Sequence, residues 1–258
     1  MIGLIEFSNP SFNYRYKGYT AIINQTIDVA IDHFSKYNNT NLIISDQQVL
    51  DFFKPVYNSV NFDYNASNIF LENFFKNNTR HNQYNAHTIA NREDLILRGE
   101  IFNKILTPTK EITHQVNQLL TDFNINNKTL GLHIRGTDKN SEIPRVSDDK
   151  IIDVINKMFT EHKLDKIFLS TDDNYYLQLI KTNYKERVLY NDNNLISYDG
   201  NPLHFSNNRK KTNKDVLLDV YVLSNCNYFL YCYSNVSYLA LTLGFEKQKH
   251  IKNINDEN

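Results

Sequence analysis

Only two cysteines, Cys226 and Cys232, and no tryptophan occur among the 258 residues. Two thiols so few and so close exclude a disulfide scaffold and fall short of a zinc cluster; the apolar stretch around them reads as core in a reducing compartment. Glycine is scarce at seven residues, and no Gly-x-Gly-x-x-Gly follows any apolar run, which argues against an NAD(P)-binding Rossmann protein. Neither sign of charge dominates. With 28 Lys+Arg against 29 Asp+Glu the formal net charge is −1, which argues against a polybasic nucleic-acid binder and an acidic solvating tail, so any phosphate site is local. No run approaches the ~20 apolar residues that span a bilayer. The first residues, MIGLIEF, have neither a charged n-region nor a small-residue cleavage site, so the expectation is a soluble, cytoplasmic protein without a transmembrane segment.

What the chain does have is a regular alternation. From about Lys128 to Gly244, short β-rich runs alternate with helix-length amphipathic segments, the pattern of a parallel sheet with crossover helices. Thr129–Ile134 reads as a buried strand, Ser147 or Asp148 as the cap of a helix carrying Ile151, Val154, Ile155 and Met158, and Lys166–Ser170 as the next strand. Asp173 or Asn174 opens another helix, Arg187–Tyr190 is a short strand, and a helix runs from about Asn213 to Ser224. A last strand, Tyr228–Tyr231, leads into Ser234 and a small apolar helix ending near Gly244.

The first half is a smaller α/β unit, with strands at Ile2–Phe7 and Asn41–Ser45, a helix over Tyr19–Tyr37, and irregular structure from Lys54 to Asn91. Helices over Glu93–Leu106 and Thr109–Phe123 flank Pro108. The expected division is residues 1–108 and 109–258, with 109–127 as a linking helix.

Four clusters carry candidate chemistry. At the end of the Thr129–Ile134 strand stand His133, Arg135, Thr137, Asp138 and Lys139. Ligands of open parallel sheets bind outside the carboxyl ends of strands, and a guanidinium there forks two phosphate oxygens. Asp138 is placed to hold Arg135 or Lys139; the other reading is a solvated charged turn. Asp172 and Asp173, after the next strand, suit nucleotide contact or plain helix capping. Asp219, inside the apolar run Val216–Leu223, is placed either to accept the N1–H and N2–H of guanine or to lie on an exposed polar face. Ser234 and Asn235 open a helix whose N–H groups suit a phosphate, or Ser234 is an ordinary cap. A basic, aromatic stretch, Tyr14–Tyr19, reads as a cleft lining or a surface loop.

Together these segments resemble the α1,6-fucosyltransferases, which include core N-glycan and rhizobial nodulation enzymes. His133-Ile-Arg135 with Thr137-Asp138-Lys139, then Ser170-Thr-Asp-Asp173, Leu218-Asp219, Leu223-Ser224 and Ser234 follow that family's HxRRTDK, TDD, LDxxxLS and FS(S) segments in order and approximate spacing. With a weaker likeness through Phe102, Leu106-Thr-Pro108 and Ile112, the resemblance covers about residues 100–244. It implies a GT-B architecture, two Rossmann-like halves facing a cleft, with residues 1–108 on the acceptor side and 109–258 on the nucleotide-sugar side. The implied chemistry is inverting, metal-independent transfer of fucose from GDP-fucose to a glycan or glycoconjugate, with no cofactor. It also implies that Arg135 holds the β-phosphate with His133, Thr137, Asp138 and Lys139 in support. Asp172, Asp173 and Asp219 then serve nucleotide recognition, and Ser234 and Asn235 the diphosphate. The family's second arginine is Gly136 in this sequence, and its catalytic base falls at Glu142 only across a one-residue deletion, with Asp138 next. Two alternatives stay open: a transferase of another GDP-sugar, and a non-catalytic GDP-sugar or glycan-binding module.

Overall fold

The computed structural model describes residues 92–137, 145–201, 203 and 209–256 and, before them, 3–5, 20, 23, 24, 27, 30, 42–44 and 52–55. The Tyr14–Tyr19 stretch and most of the segment from Lys54 to Asn91 lie outside the described residues. The chain forms two compact units, Met1–Thr113 and His114–Asn258.

In the first unit, strand β1 (Gly3–Ile5) pairs in parallel with β2 (Leu42–Ile44). Between them in sequence, Ile23, Ile27 and Ala30 occupy helical positions and are fully buried, at the spacing of one helix face. Strand β3 (Phe53–Pro55) pairs antiparallel with β4 (Leu106–Pro108), which directly follows helix α1 (Arg92–Ile105). Pro108 was expected to break a helix; it also ends a strand in a two-stranded pair, where a missing N–H is tolerated. Phe53 and Phe102 meet edge to face at 5.6 Å, and the buried Arg98 donates to the carbonyl and side-chain oxygens of Asn24 at 3.4 and 3.5 Å.

Helix α2 (Lys110–Asp122) leads into the second unit, whose elements follow the expected alternation: β5 (Thr129–Ile134), α3 (Asp148–His162), β6 (Lys166–Thr171), α4 (Asn174–Tyr184), β7 (Val188–Leu189), α5 (Arg209–Ser224), β8 (Tyr228–Tyr231), α6 (Asn235–Leu243) and β9 (His250–Asn253). The five strands are all parallel, in the order β7-β6-β5-β8-β9. The chain moves outward from β5 to β7, then returns to place β8 on the other side of β5. That reversal opens a crevice at the carboxyl ends of β5 and β8.

Alternate residues of the central strands face two different cores. Leu130, Leu132 and Ile134 pack with Ile151, Ile155 and Met158 of α3 and with Leu177 and Ile180 of α4. The opposite face meets the end of α5 so closely that a Cβ on Gly131 would lie 3.1 Å from Cys226 Cβ and 3.3 Å from a Leu223 methyl. Glycine at this point lets helix and strand touch.

Candidate active site

His133 sits near the end of β5, paired in register with Ser170 of β6 on one side and Tyr231 of β8 on the other. Directly paired residues of parallel strands point to the same face, here the face covered by α5 and α6. The ring is 4% exposed. Its Nδ1 lies 2.8 Å from Ser237 Oγ, 3.3 Å from Ser234 Oγ and 3.9 Å from the Cys232 thiol. Loss of hydrating water pulls its pKa down to about 3; nearby Asp172 opposes that fall and Arg135 adds to it. His133 is therefore neutral at physiological pH.

One residue beyond the strand, the Arg135 backbone N–H donates to the Cys232 sulfur at 3.1 Å. Asp172 then organises the turn. Its Oδ1 accepts the Gly136 N–H at 2.9 Å, its Oδ2 accepts the Thr137 hydroxyl at 2.8 Å, and the same Oδ2 lies 3.9 Å from Arg135 Nε. The carboxylate expected to steady Arg135 was Asp138; among the described residues Asp172 does so. Asp138, Lys139 and Glu142 lie outside the described residues.

Asp173 adopts the capping alternative. Its carboxylate accepts the Tyr175 N–H at 2.9 Å and starts α4, where acceptor and negative charge both suit the helix terminus. The same side chain fills the space above Gly136, so that a Cβ at residue 136 would lie 2.3–2.8 Å from Asp173 Oδ2, Cβ and Cγ. The Asp172–Asp173 step is fixed in turn by Ser197, whose N–H donates to the Asp172 carbonyl and whose carbonyl accepts the Asn174 N–H, both at 2.9 Å.

Asp219 is 3% exposed, which removes the exposed polar-face alternative. Its Oδ2 accepts from Asn194 Nδ2 at 2.8 Å, whereas Oδ1 and the Asn194 Oδ1 are buried without a hydrogen-bond partner. Ser170 lies near enough to favour the charged carboxylate without completing a bond to Oδ1. Desolvation raises the Asp219 pKa to about 7; Asn194 and Ser170 moderate the rise and Asp215 adds to it. Ser170 is also the register partner of His133, so His133 and Asp219 flank one strip of the sheet. A cavity of about 560 Å³ is lined by Gln115, Gln118 and Leu119 of α2, Lys211 and Leu218 of α5, and Asn193; neither His133 nor Asp219 is on its wall.

Ser234 is fully buried, and its hydroxyl accepts the Ser237 N–H at 3.0 Å as the cap of α6. Asn235, half-buried, is the first residue of that helix. Three residues of this arrangement had no role in the sequence reading. Cys232 was read as core, but unlike the buried Cys226 it is only partly buried, and its sulfur accepts the Arg135 N–H. Ser237 and Asn194 carried no family motif, although the Cys-x-Ser-x-x-Ser spacing of 232–237 is that of a strand end feeding a capped helix.

The site thus joins a guanidinium at the end of β5, a helix N-terminus at the end of β8, and, on the β6 side near Ser170, the buried hydrogen-bond acceptors of Asp219 and Asn194. Comparison with known proteins leads to the same place. Residues 85–249 match the family of alpha-(1,6)-fucosyltransferase N- and catalytic domains. Among solved structures, the fold is similar to that of NodZ alpha-1,6-fucosyltransferase soaked with GDP-fucose, with a TM-score of 0.58 and 14% identity over 94% of this chain and 91% of that one. Fucosyltransferase NodZ from Bradyrhizobium gives 0.56 and 13% over 93% and 90%. POFUT1 in complex with GDP gives a TM-score of 0.39 and 10% identity over 60% of this chain, which spans about half (49%) of that one. No curated protein matches the chain significantly. The α/β, GT-B-like fold implied by the motifs is the fold observed, and the chain belongs to the alpha-(1,6)-fucosyltransferase family.

Proposed function

We propose that this protein is an inverting, metal-independent glycosyltransferase that moves fucose from GDP-fucose to a hydroxyl of a glycan or glycoconjugate. Residues 109–258 hold the donor and residues 1–108 serve the acceptor. The observation that carries the reading is the buried acceptor set of Asp219 and Asn194 on the sheet face that ends at Arg135. A guanine edge supplies the N–H donors that such a set lacks; an adenine edge presents a bare N1 there instead.

Inverting transfer needs a base for the acceptor hydroxyl and stabilisation of the negative charge that gathers on the departing diphosphate. Arg135, steadied by Asp172, and the N-terminus of α6 beginning at Asn235 supply positive charge and oriented N–H groups without a metal or cofactor. Lys139 adds donors at the phosphates, and Thr137 supports the site through its hydroxyl bond to Asp172. Glu142 is the base, with Asp138 the next candidate. Among the described residues no helix is long and apolar enough to cross a membrane, and free thiols at Cys226 and Cys232 fit a cytoplasmic enzyme.

One observation favours a second reading. With Asp173 filling the space over Gly136, a single arginine faces the donor where the family motif has two, which suits a transferase of another GDP-sugar. Calorimetric titration with GDP, ADP, UDP and GDP-fucose, with and without EDTA, tests the proposal. EDTA-insensitive binding confined to guanine ligands, with slow release of fucose from GDP-fucose to water, is expected. Absence of binding to all four overturns it; GDP binding without turnover of GDP-fucose selects another GDP-sugar or a binding module.

A further inference from the structure

The cluster of His133, Ser234, Ser237 and Cys232 contains few hydrogens, and their positions follow from the contact distances. Ser237 Oγ lies 2.7 Å from the Cys232 carbonyl oxygen. A carbonyl has no hydrogen to give, so the hydrogen in that contact is the serine's own. His133 Nδ1 lies 2.8 Å from the same Oγ, and with the serine hydrogen already committed, the hydrogen between them belongs to the ring.

The Ser234 hydroxyl, 3.3 Å from Nδ1 and 3.2 Å from Ser237 Oγ, is no substitute. Directing it at a bare Nδ1 would leave two lone pairs facing each other across the 2.8 Å contact. Burial excludes the imidazolium, and a neutral ring with Nδ1–H has a bare Nε2. No partner for Nε2 exists among the described residues, and Ser170 and Asp219 share its sheet face.

We propose that Ser237, backed by Ser234, is a positioning residue that fixes His133 in its Nδ1–H tautomer, so that Nε2 accepts a hydrogen bond from a hydroxyl or N–H of the donor's nucleoside. The assignment to a nucleoside rests on the GDP-sugar reading above; the tautomer does not. A diphosphate has no hydrogen to offer a bare nitrogen at neutral pH, so His133 moves from the phosphate-binding set, where the motif had placed it, to the nucleoside set.

The test is long-range proton–nitrogen NMR of the histidine rings of the full chain at pH 7, with His133 assigned by the signals lost in His133→Asn. The ligand-free wild type is expected to show a protonated Nδ1 and a bare Nε2, and saturating GDP to shift the Nε2 resonance while pyrophosphate leaves it in place. Ser237→Ala is expected to redistribute the tautomers and weaken GDP binding roughly tenfold, with pyrophosphate affinity unchanged; Ser237→Thr, which keeps the hydroxyl, restores both. An Nε2–H tautomer or an imidazolium in the wild type overturns the proposal, as does equal weakening of GDP and pyrophosphate by Ser237→Ala. The expected tautomer in a protein that binds no GDP leaves the Ser237 lock standing and overturns the nucleoside assignment together with the GDP-sugar reading.

Discussion

His133 and Asp219 titrate in opposite senses from the same sheet face. Folded His133 stays neutral down to about pH 3, while the unfolded ring takes up a proton near its ordinary pKa of about 6.5. In that window the unfolded state binds more protons, so this contribution to stability falls as pH is lowered. Folded Asp219 keeps its proton up to about pH 7, whereas the unfolded carboxyl releases it near 4; here the folded state binds more protons, and stability falls as pH rises. The two slopes offset between about pH 4 and 6.5. Urea denaturation across that range should show Asp219→Asn gaining stability with rising pH and His133→Asn losing it, relative to the wild type. Accepting two N–H bonds requires the Asp219 carboxylate, so GDP affinity should climb toward pH 7 and lose that dependence, with its preference over ADP, in Asp219→Asn. Gly136 is constrained differently, because its φ is unremarkable and the limit is the Asp173 side chain against it. Gly136→Ala is expected to cost about 1–3 kcal/mol through displacement of the α4 cap and local overpacking. A denaturation cycle should show most of that cost gone in an Asp173→Gly background; full additivity would remove the steric explanation.

Among the described residues, three helices of the second unit begin with side-chain caps, Ser147 for α3, Asp173 for α4 and Ser234 for α6. Only the last two touch the site. Ser147→Ala should therefore cost about 1 kcal/mol of stability and leave GDP affinity unchanged in the same calorimetric assay. These elements were the most legible in the sequence. Strands β5 and β8 have the bounds expected from their apolar runs, because strands buried in the middle of a parallel sheet leave continuous runs. At the margins the signal fades. Strand β7 is two residues long behind a 3₁₀ turn, β9 has the largely exposed sequence His-Ile-Lys-Asn, and β4 contains Pro108. Arg135 and Asp172 could be placed at strand ends from spacing alone. That Asp172 steadies Arg135, or that Ser237 meets His133, depends on residues brought together by the sheet, and no local pattern encodes such a meeting.

At the scale of the whole chain, family membership and fold meet in the second unit, where the site sits at the carboxyl ends of β5, β6 and β8. His133, Arg135 and Asp172 do lie at strand ends, as their spacing suggested; the polar first half, with its short paired strands, offered little periodicity to read. The sheet order has a consequence for how the protein comes into being. Strand β8 inserts beside β5, and the contact between His133 and Ser237 spans 104 residues. On the ribosome, the segment holding His133 and Arg135 emerges well before Cys232 and Ser237, and only when the chain has been made past Tyr231 can the central strand β5 be paired on both sides. Long-range parallel pairing of this kind is slow to form. A nucleotide that binds this site cannot assist the early stages of synthesis; it captures the chain only at the end, drawing the last-formed half of the sheet into place and favouring completed molecules over partial ones.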